Sequence, residues 1–140
     1  DYLDQITFLF LKNLNEECGN ECSIPSENEM FIRIKINSPS LKLYPETDES
    51  YQLNVTSSSN RLMAQISAST VFGARHGLET LSQLMVKRVD NVKRNGLVIV
   101  SSCEISDKPV YQHRGLLLDS ARHFIPLPII LRILDGKSFS

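Results

Sequence analysis

Residues 70–87, TVFGARHGLETLSQLMVK, limit the architecture more than any other stretch of this chain. Val71, Ala74, Leu78, Leu81 and Met85 recur at spacings of three and four, the apolar stripe of an amphipathic helix. Gly73 and Gly77 lie one turn apart on an adjoining strip. Glycine in a helix interior costs up to about 1 kcal/mol relative to alanine. Two glycines at this spacing therefore predict close approach of the helix to a sheet. The alternative use of such a spacing, helix pairing inside a membrane, does not apply, because no apolar run approaches the roughly 18 residues a spanning helix needs.

The segments before this helix supply that sheet. In MFIRIKI, residues 30–36, Met30, Ile32, Ile34 and Ile36 share one face while Arg33 and Lys35 take the other, a half-buried strand. Ser38-Pro39-Ser40 breaks it. Tyr51, Leu53 and Val55 alternate next, and Leu62, Ala64, Ile66 and Ala68 alternate after Ser57-Ser58-Ser59-Asn60, which reads as a turn. A connection this short predicts a hairpin. Upstream, Leu3, Ile6, Phe10 and Leu14 fall at helical intervals, and Cys18-Gly19-Asn20 supplies a left-handed cap. Leu97–Val100 is a further strand, and residues 103–109 are an extended piece closed by a turn at Pro109. The order lacks the regular rhythm of a parallel sheet. Residues 1–109 thus read as one α+β domain, a mostly antiparallel sheet covered by helices on one face.

The 140 residues are 41% hydrophobic and 22% charged, enough for one such domain with its own core. The net charge is −1 with lysine and arginine scattered, so no nucleic-acid footprint and no polybasic membrane patch is expected. The apolar run Ile6–Leu11 is short and lacks a basic flank, unlike a signal peptide. With Asp1 as its first residue the chain reads as mature or partial. Of the cysteines, Cys18 and Cys22 resemble half a zinc site, but no second ligand pair stands at a suitable interval. A local loop or a disulfide is the better reading, and neither a metal nor a cofactor is expected. With Cys103 the count is odd: in a secreted protein one pair could bridge and leave one thiol, and in a cytosolic protein all three would be reduced. Asn54-Val55-Thr56 is an N-glycosylation sequon and gives weak support for secretion.

A different pattern begins after Pro109. Leu116, Leu117 and Leu118 are continuous, as in a strand covered on both faces. Arg114 precedes the run and Asp119 ends it. Pro126 and Pro128 suit a helix start, and Ile129, Ile130, Ile133 and Leu134 make that helix amphipathic. Residues 110–140 therefore read as one βα unit. In a parallel barrel built from such units, the C-terminal ends of the strands face the active site.

Two motifs carry a resemblance. Residues 111–124, YQHRGLLLDSARHF, resemble the opening strand of the catalytic barrel in β-N-acetylhexosaminidases of glycoside hydrolase family 20. Residues 72–84, FGARHGLETLSQL, resemble the signature helix of the small domain preceding that barrel, and Ile105-Ser106-Asp107-Lys108-Pro109 fits the junction. The nearest flavour is the insect chitooligosaccharide-degrading type. The implied architecture is the small α+β domain over 1–109, then the first strand and helix of a truncated (β/α)8 barrel over 110–140.

Such enzymes remove terminal β-linked N-acetylhexosamine from glycans or chitooligosaccharides. They do so by substrate-assisted, retaining hydrolysis, outside the usual two-carboxylate scheme. The resemblance assigns Arg114 to hydroxyls of the terminal sugar, a role suited to the rigid donor fork of a guanidinium. The catalytic Asp–Glu pair belongs to a later barrel strand, so no catalytic residue is expected in this chain and the chain alone is expected to be inactive. Asp119 reads as structural, capping the following turn or pairing with Arg122; His76 reads as structural too, and His113 and His123 are assigned no role. Glu79 is spaced to pair with Arg75. Implied partners are the sugar, the missing remainder of the barrel and, in a second copy, a homodimer. The implied location is secreted or lysosomal. The competing reading is a non-catalytic interaction module or an inactive truncated isoform.

Overall fold

The structure, a computed structural model, describes residues 2–19, 29–58, 61–88 and 96–137. It divides into two compact units, Asp1–Val110 and Tyr111–Ser140. The first unit runs α1 (Tyr2–Cys18), β1 (Glu29–Ser38), β2 (Tyr51–Ser58), β3 (Arg61–Thr70), α2 (Val71–Gln83), β4 (Val86–Arg88), β5 (Gly96–Val98) and β6 (Cys103–Asp107). The second holds α3 (Leu127–Lys137).

The main sheet has the order β1-β3-β2-β6. β2 pairs antiparallel with β3, Ser58 opposite Arg61, as a hairpin requires. Ser57 and Ser58 belong to β2, so the predicted turn begins later; residues 59–60 lie outside the described residues. β2 also pairs antiparallel with β6, whereas β1 pairs parallel with β3. A mostly antiparallel sheet is what forms, with one parallel edge. β4 and β5 make a separate antiparallel ribbon.

Alternation decides which face is covered. Tyr51, Leu53 and Val55 of β2 and Ala64, Ile66 and Ala68 of β3 point to one side and are buried. Val71, Ala74, Leu78 and Leu81 of α2 and Ile6 and Phe10 of α1 close over them. Burying a Leu or Ile side chain stabilises by about 1.5–3 kcal/mol, so this layer holds the unit together. The two glycines of α2 sit where the sequence places close approach. A Cβ on Gly77 would stand 2.7 Å from Ile66 Cγ2, and one on Gly73 would fall inside contact distance of the Ser50 carbonyl oxygen.

Thr70 caps α2: its backbone is extended and its Oγ1 accepts from Gly73 N–H at 3.3 Å. The same hydroxyl donates to the Asp48 carbonyl at 2.6 Å, tying the loop before β2 to the helix. The helix predicted over 70–87 ends at Gln83. Leu84 N–H donates to Thr80 and Met85 N–H to Ser82, and residues 86–88 leave to pair with β5. Ladder pairing with Gly96–Val98 outweighs continuation of the helix there, and it also trims the strand predicted over 97–100 to Gly96–Val98.

α1 extends to Cys18, which is buried and disulfide-bonded, and Gly19 follows at φ +67°. That agrees with the left-handed cap and with a disulfide in place of a half zinc site. Asn20 and Cys22 lie outside the described residues. Cys103, on β6, is a free thiol.

Candidate functional site

In the second unit the expected first barrel strand is not seen. Residues 113–119 form no strand, and Leu116 and Leu117 are 56% and 92% exposed. A strand needs a neighbour to accept and donate its ladder hydrogen bonds, and among the described residues none pairs with this run. Continuous leucines require burial, but the run by itself supplies no partner. α3 begins as predicted, with the Pro126 carbonyl accepting from Ile129 N–H at 2.9 Å and Ile130 N–H at 3.2 Å. Its Ile130 and Ile133 are half-buried and its Ile129 and Leu134 exposed.

Arg114 is exposed, and its Nη1–H donates to the Tyr111 carbonyl at 2.8 Å. Asp119 serves the turn that follows: Oδ1 accepts from Ala121 N–H at 3.0 Å and Arg122 N–H at 3.2 Å. Its Oδ2 pairs with Arg122 Nε at 3.2 Å. The pair is solvent-exposed and so contributes little to stability. Both structural roles read from the sequence, turn cap and ion pair, are therefore present at once. His113 and His123 are exposed.

The first unit carries a polar cluster between α2 and the start of β2. His76 Nε2 and Glu49 Oε2 lie 2.8 Å apart, both largely shielded. One helical turn on, the Thr80 hydroxyl meets the Tyr51 hydroxyl, which also approaches Asp107 Oδ2 at 3.5 Å. Burial pushes the Tyr51 phenol above its ordinary value, and the Asp107 carboxylate adds to the rise. His76 thus has a structural partner, 27 positions away in the chain, which no local spacing reveals. The four-residue spacing puts His76 and Thr80 on one helix face, but it does not single out Glu49, just before β2, or Tyr51 as their partners. Glu79 does not bond to Arg75; its Oε1 accepts from Gln83 Nε2 at 3.4 Å, one turn toward the C-terminus.

Hydrogen bonds from the Ser50 and Ser69 side chains, with the Ser50 N–H, hold the Asp48 carboxyl below its ordinary value of 3.8. A carboxyl lowered by folding stabilises the fold above its unfolded pKa, and that contribution fades as pH falls through the folded pKa. Asp48→Asn, a mimic of the protonated side chain, should therefore lower the urea midpoint of unfolding by a constant amount above about pH 4.5. The difference should shrink as pH falls below the unfolded value and through the lowered folded pKa. A gap that widens on acidification would contradict this account.

On the sheet face opposite α1 and α2, no helix of the first unit packs among the described residues. Asn54 stands on that face in the middle of β2, half-buried between Gln65 of β3 and Glu104 of β6. Near the start of β2 the same face forms a shallow hollow of about 390 Å³ around Lys35, Gln52, Ser67 and Ser106. Its titratable lining residues are Lys35 and Tyr51, beside serines and amides.

Comparison with known proteins places these features. The profile of a family described as beta-acetyl hexosaminidase like matches residues 12–84, from within α1 through α2. A chitooligosaccharidolytic beta-N-acetylglucosaminidase of Ostrinia furnacalis is 50% identical over 94 residues, covering 66% of this chain and 15% of that protein. The beta-hexosaminidase subunit A1 of Dictyostelium discoideum is 40% identical over 139 residues, covering 99% of this chain and 24% of that protein. The solved chitobiase of Flavobacterium johnsoniae superposes with a TM-score of 0.55 at 37% identity, over 75% of this chain and 14% of the chitobiase. The chain therefore spans about a quarter or less of these relatives. A profile match over slightly more than half of its residues, on the helices and sheet just described, means that this chain belongs to the beta-acetyl hexosaminidase-like family.

Proposed function

We propose that this chain is the N-terminal portion of a β-N-acetylhexosaminidase of glycoside hydrolase family 20. The observation that carries the reading is the 40% identity over 139 residues with the Dictyostelium subunit, which embraces both units and not the small domain alone. Residues 1–109 are then the small domain and 110–140 the opening βα unit of the catalytic barrel. Residues 114–118 become its first strand once neighbouring strands complete the ladder.

The exposed apolar side chains support a larger body. Phe8 of α1 is 66% exposed, and Leu117 and Phe124 of the second unit are almost bare. The rest of the barrel would cover them on this reading. On this reading the substrate is a glycan or chitooligosaccharide ending in β-linked N-acetylhexosamine. Its own acetamido oxygen attacks the anomeric carbon as the aglycone leaves, and water then opens the oxazolinium with retention. Arg114 holds hydroxyls of the terminal sugar, while the acid–base pair comes from the rest of the barrel. The protein is secreted or lysosomal, and Asn54, on the sheet face opposite α1 and α2, carries the N-glycan of its sequon. No helix among the described residues is long and apolar enough to cross a membrane.

The test is a graft. Purified alone, residues 1–140 should not hydrolyse a chromogenic N-acetylglucosaminide; joined to the remaining barrel of the Ostrinia enzyme in place of its own N-terminal portion, they should support turnover. A folded but inactive graft would sink the proposal and favour an interaction module. Expressed through a secretory pathway, the graft should lose mass on enzymatic deglycosylation and show Asp at position 54 by peptide mapping. An unmodified Asn54 would remove the glycan assignment and leave the rest standing.

A further inference from the structure

We infer that the free edge of β1 is a self-pairing surface, through which two copies of this chain join β1 to β1, antiparallel, with Ile32 on the two-fold axis. This stands independently of the glycosidase reading.

β1 lies at the margin of the sheet, and among the described residues nothing pairs with its outer side. Natural edges are commonly blunted by proline, by a bulge, by being short or by charged side chains. β1 has none of the first three, and its charges, Glu29, Arg33 and Lys35, are of mixed sign. It is ten residues long and free of proline. It holds one register against β3 from Glu29–Arg61 to Ser38–Thr70, so no bulge bends it away. The opposite edge, β6, has five residues and runs into Lys108-Pro109.

Its two faces are also unfinished. Met30, Ile32, Ile34 and Ile36 are only half-buried, whereas Leu53 and Ile66 on the inner strands are fully buried. On the other face Phe31 is 44% exposed. A strand added at this edge would extend the apolar row and cover both.

Charge then selects the occupant and the register. Residues directly opposite in an antiparallel pair share a face, and opposite charges there attract while like charges repel. With Ile32 facing itself, Glu29 meets the partner's Lys35 and Phe31 meets the partner's Arg33. Met30 meets the partner's Ile34. The first pair is an ion pair and the second a cation–π contact, and symmetry doubles each. Shifting the axis to Arg33 sets that arginine against itself. Shifting it to Ile34 sets Arg33 against Lys35. Shifting it to Phe31 keeps opposite charges but shortens the paired segment. The longest register that pairs opposite charges is therefore self-complementary. The two copies would carry their helices on one side and leave Asn54 on the opposite face of the joined sheet.

The test is sedimentation equilibrium of the 140-residue chain across a wide concentration range, with circular dichroism to confirm that each variant is folded. Wild type should show a reversible monomer–dimer equilibrium weakened by salt. Glu29→Lys and Lys35→Glu, both at exposed positions, should each weaken dimerisation by about tenfold. The double variant, which restores opposite charges in the same register, should recover wild-type affinity within about threefold. A chain that stays monomeric throughout overturns the inference. So does a dimer indifferent to both single substitutions, one abolished only by Leu117→Ser, or a double variant that is not rescued.

Discussion

Arg114→Ala, introduced into the grafted enzyme, should lower kcat/KM for a chromogenic N-acetylglucosaminide by two to three orders of magnitude. A hydrogen bond from a charged donor contributes about 1.5–3 kcal/mol. A guanidinium spanning two sugar hydroxyls makes two of them, and about 3–4 kcal/mol of lost transition-state stabilisation is a factor of about 10²–10³. Arg114→Lys keeps the charge but not the planar fork, and it should recover only part of the loss. The split between KM and kcat shows whether Arg114 holds the sugar equally in ground and transition states or more tightly in the second. Circular dichroism of the variant should show the fold retained, because Arg114 is exposed in this chain. A loss of only a few-fold in the grafted enzyme would remove Arg114 from the substrate site.

The second large effect runs against ordinary helix propensity. Glycine-to-alanine in a helix interior normally stabilises, by up to about 1 kcal/mol. Gly73→Ala should instead destabilise the small domain by about 1–3 kcal/mol, the usual range for overpacking. That corresponds to a drop in Tm of roughly 5–15 °C. The added Cβ would overlap the Ser50 carbonyl oxygen and lie 3.1 Å from the carbonyl carbon and oxygen of Glu49. These are backbone atoms at the entry to β2, and they cannot rotate aside. Gly77→Ala should be milder, because the obstacle at 2.7 Å is a methyl of the Ile66 side chain, with Tyr51 Cδ2 at 3.3 Å. Ile66 is fully buried, so its adjustment still costs packing, but a rotamer shift is cheaper than moving a strand. Thermal melts of the two variants should rank wild type above Gly77→Ala above Gly73→Ala. A more stable Gly73→Ala would mean that α2 does not approach the sheet as closely as the structure has it.

The two glycines show how much of the fold was legible. Their spacing announced a close helix–sheet contact. It did not reveal that one glycine meets backbone and the other a side chain. The alternation of Tyr51, Leu53, Val55 and of Ala64, Ile66, Ala68 marked which side chains turn inward. The parallel pairing of β1 with β3 was not visible, because MFIRIKI alternates identically whichever way its neighbour runs. Leu116–Leu118 shows a related limit. Its composition calls for burial on two faces, and no hydrogen-bonding partner for it lies among the described residues.

The candidate site divides along similar lines. The structural roles of Asp119 were legible because they are local. The Asp119–Arg122 turn needs only three residues and forms as expected. Glu49 was invisible as the partner of His76. Local sequence carries periodicity, caps and turn chemistry, since each is a property of neighbouring residues, and these specify the inward faces, the helix start at Thr70 and the family motifs. Strand order, register, the end of α2 at Gln83 and the His76–Glu49 contact depend on which distant segments meet. Those were settled by ladder hydrogen bonds and side-chain packing, which exist only between segments already brought together.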